Sequence, residues 1–229
     1  MPELLIELLS EEIPARMQAR AAEDFSRLLK EALAPLALEN TRTFHGPRRI
    51  ALAAGIAAFV PARQVRERGP RIGAPEAALA GFLRKHGAAR GELIEEGGYW
   101  VLAREEKAVP AKARIAEAMP PLLRRFPWPK SMRWGASSFA WVRPLRRILC
   151  LFDGAVVPFA LAENGDDGHG LVAGNLTEGH RFLAPGPFAV RSAKEWEEGL
   201  RERRVIASAA ERQDLIADGI ARLAGADQL

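Results

Sequence analysis

Two glycine-containing dipeptides constrain the fold of this chain more than any other feature of its sequence. Gly97-Gly98 and Asp153-Gly154 each lie between apolar runs of strand length, and such dipeptides favour the two-residue turn of a β-hairpin. Apolar spacing predicts helices over 15–38, 76–86, 110–125, 192–203 and 207–225. Because helices and hairpins mix without a regular strand–helix alternation, the sequence predicts an α+β fold of mixed or antiparallel hairpin-rich sheets with flanking helices.

The order of these elements predicts three parts along the chain. Residues 1–125 are expected to form an N-terminal α+β subdomain, and 126–190 a second subdomain that is basic and rich in hairpins. Residues 191–229 are expected to be helical and to lead into a further helical domain that is absent here. Since the last helix is followed by no feature that closes a domain, the chain is expected to be a fragment of a longer protein.

Composition excludes several classes of protein. With 229 residues, 48% hydrophobic and 27% charged, the chain has an ordinary globular composition. No apolar run reaches the ~18 residues of a membrane span, and no signal peptide is visible. A single cysteine, Cys150, excludes an internal disulfide. We therefore expect a cytoplasmic protein with no membrane partner.

The segment 118–152 carries the strongest functional signal. It contains no acidic residue and three of the five Trp residues of the chain. Cations displace counterions from phosphates, and aromatic rings stack on unpaired bases at ~1–3 kcal/mol each, so this pattern favours nucleic acid. The seven basic residues of the segment are Arg124, Arg125, Lys130, Arg133, Arg143, Arg146 and Arg147.

Other interpretations of this segment stay open at this point. The Trp and Phe side chains could belong to the core, with the arginines on a solvated rim. An acid-free segment could equally face an acidic patch on a partner subunit. The general excess of Arg, 27 of 33 basic residues, could reflect a GC-rich genome, so only local clustering counts in favour of a nucleic-acid partner.

Two smaller basic clusters point in the same direction. One surrounds a Gly-Pro turn, and the other lies on an extended segment where Arg66 and Arg68 would share one strand face and Glu67 the other. The clusters are Arg42, His45, Arg48 and Arg49, and Arg63, Arg66, Arg68 and Arg71.

The sequence contains no recognisable catalytic motif. It has neither a GxxxxGK[ST] loop nor a GxGxxG turn after a strand, and its four His form no HExxH pair. The pair Glu11-Glu12 is expected to favour the positive N-terminus of the first helix. A metal-dependent enzyme built on Asp166, Asp167, His169 and His180 is the remaining catalytic alternative. We expect no catalytic residue and no metal site.

The segment from Lys130 to Pro144 resembles a known family. Lys130-Ser131-Met132-Arg133-Trp134-Gly135, followed by Trp141-Val142-Arg143-Pro144, is similar to the N-terminal part of the β subunit of bacterial heterotetrameric glycyl-tRNA synthetase. Leu9-Ser10 departs from the Gly-Thr expected before the acidic pair. Further similar segments occur in the same order, at 5–14, 46–51, 68–82, 174–182 and 205–212.

The resemblance implies a division of labour between two subunits. In this family the α subunit carries the class II active site, which adenylates glycine with ATP and then transfers it to tRNA. The resemblance therefore places ATP and Mg²⁺ at the α subunit. The β subunit supplies tRNA recognition and holds the assembly together, and it continues into an HD-type helical domain and an anticodon-binding domain. The expected partners are therefore the tRNA for glycine, the α subunit and the remaining β-subunit domains, with no cofactor in these residues.

The basic segment supplies the candidate RNA-binding residues. Trp134 or Trp141 is expected to stack on a base. The alternative is a structural docking module for the α subunit or the later β domains, with no direct RNA contact. The expected phosphate contacts are Lys130, Arg133, Arg143, Arg146 and Arg147, with Arg48, Arg49 and Arg181 as a second tier.

Overall fold

A computed structural model describes residues 1–226, so the last three residues of the predicted 191–229 segment lie outside the described residues. The α+β prediction is confirmed. The helices are α1 Ala15–Ala32, α2 Glu76–His86, α3 Ala111–Arg124, α4 Ala193–Glu202 and α5 Ala209–Ala226. The strands are β1 Glu3–Ser10, β2 Glu39–Gly46, β3 Arg49–Gly55, β4 Phe59–Val60, β5 Arg63–Arg71, β6 Leu93–Glu96, β7 Tyr99–Glu106, β8 Val109–Pro110, β9 Met132–Arg133, β10 Ala140–Trp141, β11 Leu145–Phe152, β12 Ala155–Val156, β13 Ala173–Gly174, β14 Leu176–Glu178 and β15 Pro187–Ala189.

The chain divides into two compact units. The first unit comprises Met1–Ala58 together with the chain from Ala111 onward, and the second unit is Phe59–Pro110. This division falls at other positions than the subdomain boundaries predicted at 125/126 and 190/191, which stay predictions.

A six-stranded sheet organises the first unit. Its order is β12-β11-β1-β3-β2, with β13 added in parallel to β11, while the other pairs are antiparallel. The central strand β1 is buried on both faces, since Leu5 is 1% exposed and Ile6 is 0% exposed. On the Leu5 face, Trp196 of α4 packs edge-on against Phe44 with ring centroids 5.0 Å apart. This burial is why the run at 3–9 is almost continuously apolar.

Both predicted hairpin turns are confirmed. Gly97 and Gly98 have φ angles of 57° and 78°, and Asp153 and Gly154 have φ angles of 49° and 76°, as a two-residue turn with positive φ at both positions requires. The strand after the second turn, β12, is only two residues long. Pro158 follows it closely and has no N–H to donate to the sheet.

The second unit is a three-stranded sheet, β5-β7-β6, covered on one face by α2. A Cβ on Gly69 would lie 2.9 Å from a ring carbon of Phe82, so the missing side chain lets α2 approach the sheet. The register pairs Arg66 with Ala103 and Arg68 with Val101. The prediction that these two arginines share one strand face is therefore confirmed.

No helix within residues 1–226 is long and apolar enough to cross a membrane. The cytoplasmic location stays a prediction.

Candidate nucleic-acid interface

The aromatic side chains of the basic segment belong mainly to the core. Trp141 is 0% exposed, and its ring centroid lies 5.0 Å from that of Phe126 and 5.0 Å from that of Trp128. The prediction that Trp141 stacks on a base is wrong for this conformation, because other rings enclose it. The sequence could not distinguish a core Trp from a surface Trp, since both occur next to arginines.

Trp134 lies closer to the surface, but one of its ring faces is occupied. The His169 ring stacks on it with centroids 4.1 Å apart and planes 11° apart. Phe139 meets Trp134 edge-on at 5.7 Å. Base stacking on Trp134 stays a prediction, restricted to the face that His169 leaves uncovered.

Asp166 fixes the loop that carries the basic residues. Its carboxylate accepts hydrogen bonds from the Ser137 hydroxyl at 2.5 Å, the Ser138 N–H at 2.9 Å and the Gly168 N–H at 3.0 Å. The Arg124 guanidinium lies 3.4 Å away. The bonds from Ser137 and Ser138 hold the pKa of the Asp166 carboxyl far below its usual range. Asp166 therefore anchors the loop from 137 onward to the loop around 166.

The residues of the metal-enzyme alternative are held in other interactions. Asp167 accepts a hydrogen bond from the His169 N–H at 2.9 Å. His180 Nδ1 accepts from the N–H groups of Phe182 and Leu183 at 3.2 and 3.1 Å. Within residues 1–226, no group of three or more His, Cys, Asp or Glu side chains is placed to hold a metal ion.

Three of the predicted phosphate contacts are exposed and carry their charge without a carboxylate partner. Lys130, Arg133 and Arg143 form no ion pair within the described part of the chain. Arg133 lies on β9, which pairs with β10 through Arg133 and Ala140. Because β10 ends in the buried Trp141, the β9–β10 pair that carries Arg133 is anchored in the aromatic core.

The next two candidates share their charge with glutamates. Arg146 is exposed, and its Nη1 lies 3.5 Å from Glu11. Arg147 donates from Nε to Glu178 at 2.8 Å. Glu178 also lies 4.0 Å from Arg48, whose side chain is 15% exposed. The charges of Arg146 and Arg147 at the start of β11 are therefore partly balanced by Glu11 and Glu178.

Arg49 has a structural position. Its Nη1 donates to the Glu7 carboxylate at 2.9 Å, and its Nη2 donates to the Glu178 carbonyl at 2.8 Å. Since the Arg49 side chain is 7% exposed, its predicted role as a phosphate contact does not fit this structure. The turn sequence gave no sign that the second of two adjacent arginines would point inward.

Arg181 and the acidic pair form a separate ion cluster. Arg181 donates to Glu12 at 2.7 Å and lies 3.7 Å from Glu11. The first turn of α1 contains no acidic residue. Glu11 and Glu12 were predicted to interact with the positive N-terminus of α1. In the structure they pair with Arg146 and Arg181 instead.

A pocket of ≈ 340 Å³ opens where three segments of the first unit meet. It is lined by residues of 45–49, 179–182 and 204–207, together with Arg212 and Glu12. Arg212 donates to the carbonyls of Ile206, Ala207 and His45, and burial lowers its pKa. Burial and the Arg212 charge together lower the pKa of His45, so the imidazole is neutral at neutral pH.

Sequence reasoning missed two exposed residues at this pocket. Arg204 is exposed, with a φ of 61°, and Phe182 is 78% exposed. Arg204 ends a run, Arg-Glu-Arg-Arg at 201–204, which was available as a signal of a basic surface.

Comparison with known proteins identifies the family. The family model described as glycyl-tRNA synthetase beta subunit matches residues 4–229. The glycine–tRNA ligase beta subunit of Phenylobacterium zucineum is 48% identical over 233 residues, which cover 100% of this chain and 34% of that protein. The beta subunit of Dinoroseobacter shibae is 46% identical over 94% of this chain and 31% of its own length. This chain belongs to the glycyl-tRNA synthetase beta subunit family.

The matches confirm the resemblance drawn from the sequence. The beta subunit of Paracoccus denitrificans is 44% identical over 98% of this chain and 33% of its own length. The chain thus spans about a third of the length of the curated beta subunits that it matches. Parts of the segments that carried the resemblance, 46–51, 179–182 and 205–212, meet at the ≈ 340 Å³ pocket.

Proposed function

We propose that this chain is a non-catalytic, tRNA-binding and assembly part of a glycyl-tRNA synthetase beta subunit. In this role it supports the ATP-dependent attachment of glycine to its tRNA, a reaction catalysed by the α subunit. ATP and Mg²⁺ are then bound by the α subunit. Membership of the family supports a role in glycine–tRNA charging.

One observation carries the RNA-binding part of this proposal. Lys130, Arg133 and Arg143 are exposed, lie within an acid-free segment, and form no ion pair within the described residues. A guanidinium without a carboxylate partner needs to break no ion pair before it binds a phosphate, although Arg143 does donate from Nη1 to the Val142 carbonyl at 3.0 Å. The loop is already anchored through Asp166 and the buried Trp141, which reduces the ordering entropy that binding costs.

The test is a titration of the chain with glycine-accepting tRNA and with a non-cognate tRNA, each at low and moderate salt. Binding that weakens with salt is expected, because phosphate contacts release counterions. The salt slope is the slope of the logarithm of the binding constant against the logarithm of the salt concentration. Arg133→Ala and Arg143→Ala should each reduce its magnitude by about one unit. A preference for the cognate tRNA would place part of its recognition within these residues.

Arg191→Ala provides the matched control. Arg191 is exposed and lies near the β11–β12 turn, since a Cβ on Gly154 would be 3.5 Å from its carbonyl oxygen. It therefore sits at the opposite end of β11 from Arg143, and its loss should leave the salt slope unchanged. The proposal fails if Arg133→Ala and Arg143→Ala behave like this control.

Exposed apolar side chains favour a second role, docking on the α subunit or on later beta-subunit domains. Phe182 and Leu183 are 78% and 70% exposed, and the last helix, α5, exposes Ile216, Ile220 and Leu223. Apolar groups exposed to this degree are typical of an interaction surface. Association with the α subunit that is insensitive to salt and lost in a Phe182→Ser/Leu183→Ser variant would support docking.

A further inference from the structure

The sheet of the second unit has one face that α2 does not cover. Residues that alternate along β5 and β7 point to this face, among them Arg66, Arg68 and Tyr99. All three arginines of the face, Arg66, Arg68 and Arg71, are exposed. The proposed tRNA-binding role, centred on the segment around 130–147, does not use this face.

A single tyrosine holds two of these arginines in place. The Arg68 guanidinium carbon lies 3.5 Å from the centroid of the Tyr99 ring. Arg71 donates from Nε to the Tyr99 hydroxyl at 2.9 Å, and its guanidinium carbon lies 5.4 Å from the same centroid. Both side chains are therefore oriented before any ligand arrives.

The charge of this arginine pair is not neutralised by a neighbouring carboxylate. Arg66 forms an ion pair with Glu96. Arg68 and Arg71 form none within the described part of the chain, and Glu67 points to the opposite face of the sheet. The hydrogen bond from Arg71 and the charge of Arg68 lower the pKa of Tyr99, which fits a positive potential at this position.

A shallow cavity of ≈ 370 Å³ adjoins Tyr99. It is lined by Arg66, Arg68, Glu96, Gly97, Tyr99 and Val101. The one aliphatic residue of this lining, Val101, is only 8% exposed. With two arginines against one glutamate and little exposed apolar surface, this lining favours an anionic ligand.

We propose that Arg68 and Arg71, oriented by Tyr99, form a phosphate-binding site for the RNA backbone. This inference rests on the proposed RNA-binding function and adds a second contact region to it. Each guanidinium presents a planar fork of N–H donors that matches the oxygens of a phosphodiester. Since phosphates are common to every nucleotide, a site built on these two forks contacts the backbone and does not read bases. Its contribution is therefore independent of RNA sequence.

The test uses the whole 229-residue chain and the same tRNA titration. Arg68→Gln and Arg71→Gln should each lower the salt slope by about one unit and weaken cognate and non-cognate tRNA equally. Tyr99→Phe keeps every charge but removes the hydroxyl that holds Arg71. It should weaken binding by about two- to tenfold, the effect of one lost hydrogen bond, with the salt slope unchanged.

Arg84→Gln is the control, since Arg84 is an exposed arginine on α2, the helix that packs on the opposite face. If the wild-type chain binds neither tRNA, both the proposed function and this inference are wrong. If the wild type binds, Arg133→Ala weakens binding and the Arg68 and Arg71 variants match Arg84→Gln, only this inference is wrong. Weaker binding of the α subunit with unchanged RNA binding would also overturn it, by assigning the arginine pair to a protein partner.

Discussion

The Glu7 carboxylate and the Arg49 guanidinium meet at 2.9 Å inside the first unit, where their side chains are only 1% and 7% exposed. Glu7 lies on β1 and Arg49 begins β3, and both point to the face of the sheet that carries Leu5. Arg49 also reaches the Glu178 carbonyl at 2.8 Å. The pair therefore ties the central strand of the six-stranded sheet to β14, which belongs to the separate two-stranded sheet β14-β15.

Breaking this pair should destabilise the protein strongly. Glu7→Leu leaves the Arg49 charge buried and opposed only by a carbonyl, and Arg49→Met leaves the Glu7 charge buried. Each single variant should lose on the order of 3–5 kcal/mol of unfolding free energy, measured by urea unfolding.

The double variant Glu7→Leu/Arg49→Met is the informative control. It removes both charges, so it should be more stable than either single variant. Additive losses in the double variant would mean that the two side chains do not interact, and would contradict the structure.

Asp166 predicts a dependence of stability on acid pH. Its carboxyl has a folded-state pKa below the ordinary value of 3.8, chiefly because Ser137 and Ser138 donate to it. A lowered pKa contributes stability above pH 3.8, which is lost as the pH falls towards the folded-state value. Asp166→Asn should therefore lower the thermal midpoint at neutral pH. When the pH falls below 3.8, the thermal midpoint of the variant should drop less than that of the wild type.

Asp153→Asn tests whether this effect belongs to Asp166. Asp153 occupies the β11–β12 turn with a φ of 49°, a conformation that Asn also tolerates. This variant removes one carboxylate and leaves the bonds from Ser137 and Ser138 to Asp166 intact, so a change seen in both variants would not belong to Asp166. Equal profiles for wild type and Asp166→Asn would show that folding does not lower the pKa of this carboxyl, and would contradict the prediction.

Cys150 should be unreactive in the folded protein. The side chain is 0% exposed on β11, and burial raises the pKa of its thiol, so the reactive thiolate is suppressed. Since it is the only cysteine, a thiol reagent reports on this position alone. We expect negligible labelling of the native chain and one thiol per chain in urea. Rapid labelling under native conditions would mean that β11 opens readily.

The sequence predicted the elements of the fold better than the surroundings of its side chains. Hairpin turns and helix ends depend on local chemistry, so Gly97-Gly98 and Asp153-Gly154 located the turns. The helix predicted over 76–86 is likewise followed by Gly87 in a left-handed conformation, which ends it. Burial of Trp141 depends on Phe126 and Trp128, which come together only in the folded chain.

At the candidate site, too, the sequence located the basic residues but did not show which of them are buried. Lys130, Arg133 and Arg143 are exposed, and their role as phosphate contacts stays a prediction, whereas Arg49 is buried by its contact with Glu7, 42 positions away. The arginine pair at Tyr99 was visible in the sequence only as a basic cluster. The orientation of the pair follows from the strand register, which places Arg71 opposite Tyr99. The pairing of β5 with β7 shifts between Arg68 and Arg71, and this shift produces that register.

Tyr99 allows the arginine pair to be tested without RNA. It is the only tyrosine of the chain, so ultraviolet absorbance of tyrosinate follows this hydroxyl alone. The hydrogen bond from Arg71 is the main reason that its pKa lies below 10.0, and the charge of Arg68 lowers it further. Arg71→Gln should therefore raise the Tyr99 pKa, and Arg68→Gln should raise it less. Arg84→Gln, on α2, should leave the titration unchanged. A Tyr99 that titrates identically in wild type and Arg71→Gln would show that Arg71 does not hold the hydroxyl, and would remove the preorganisation on which the phosphate site depends.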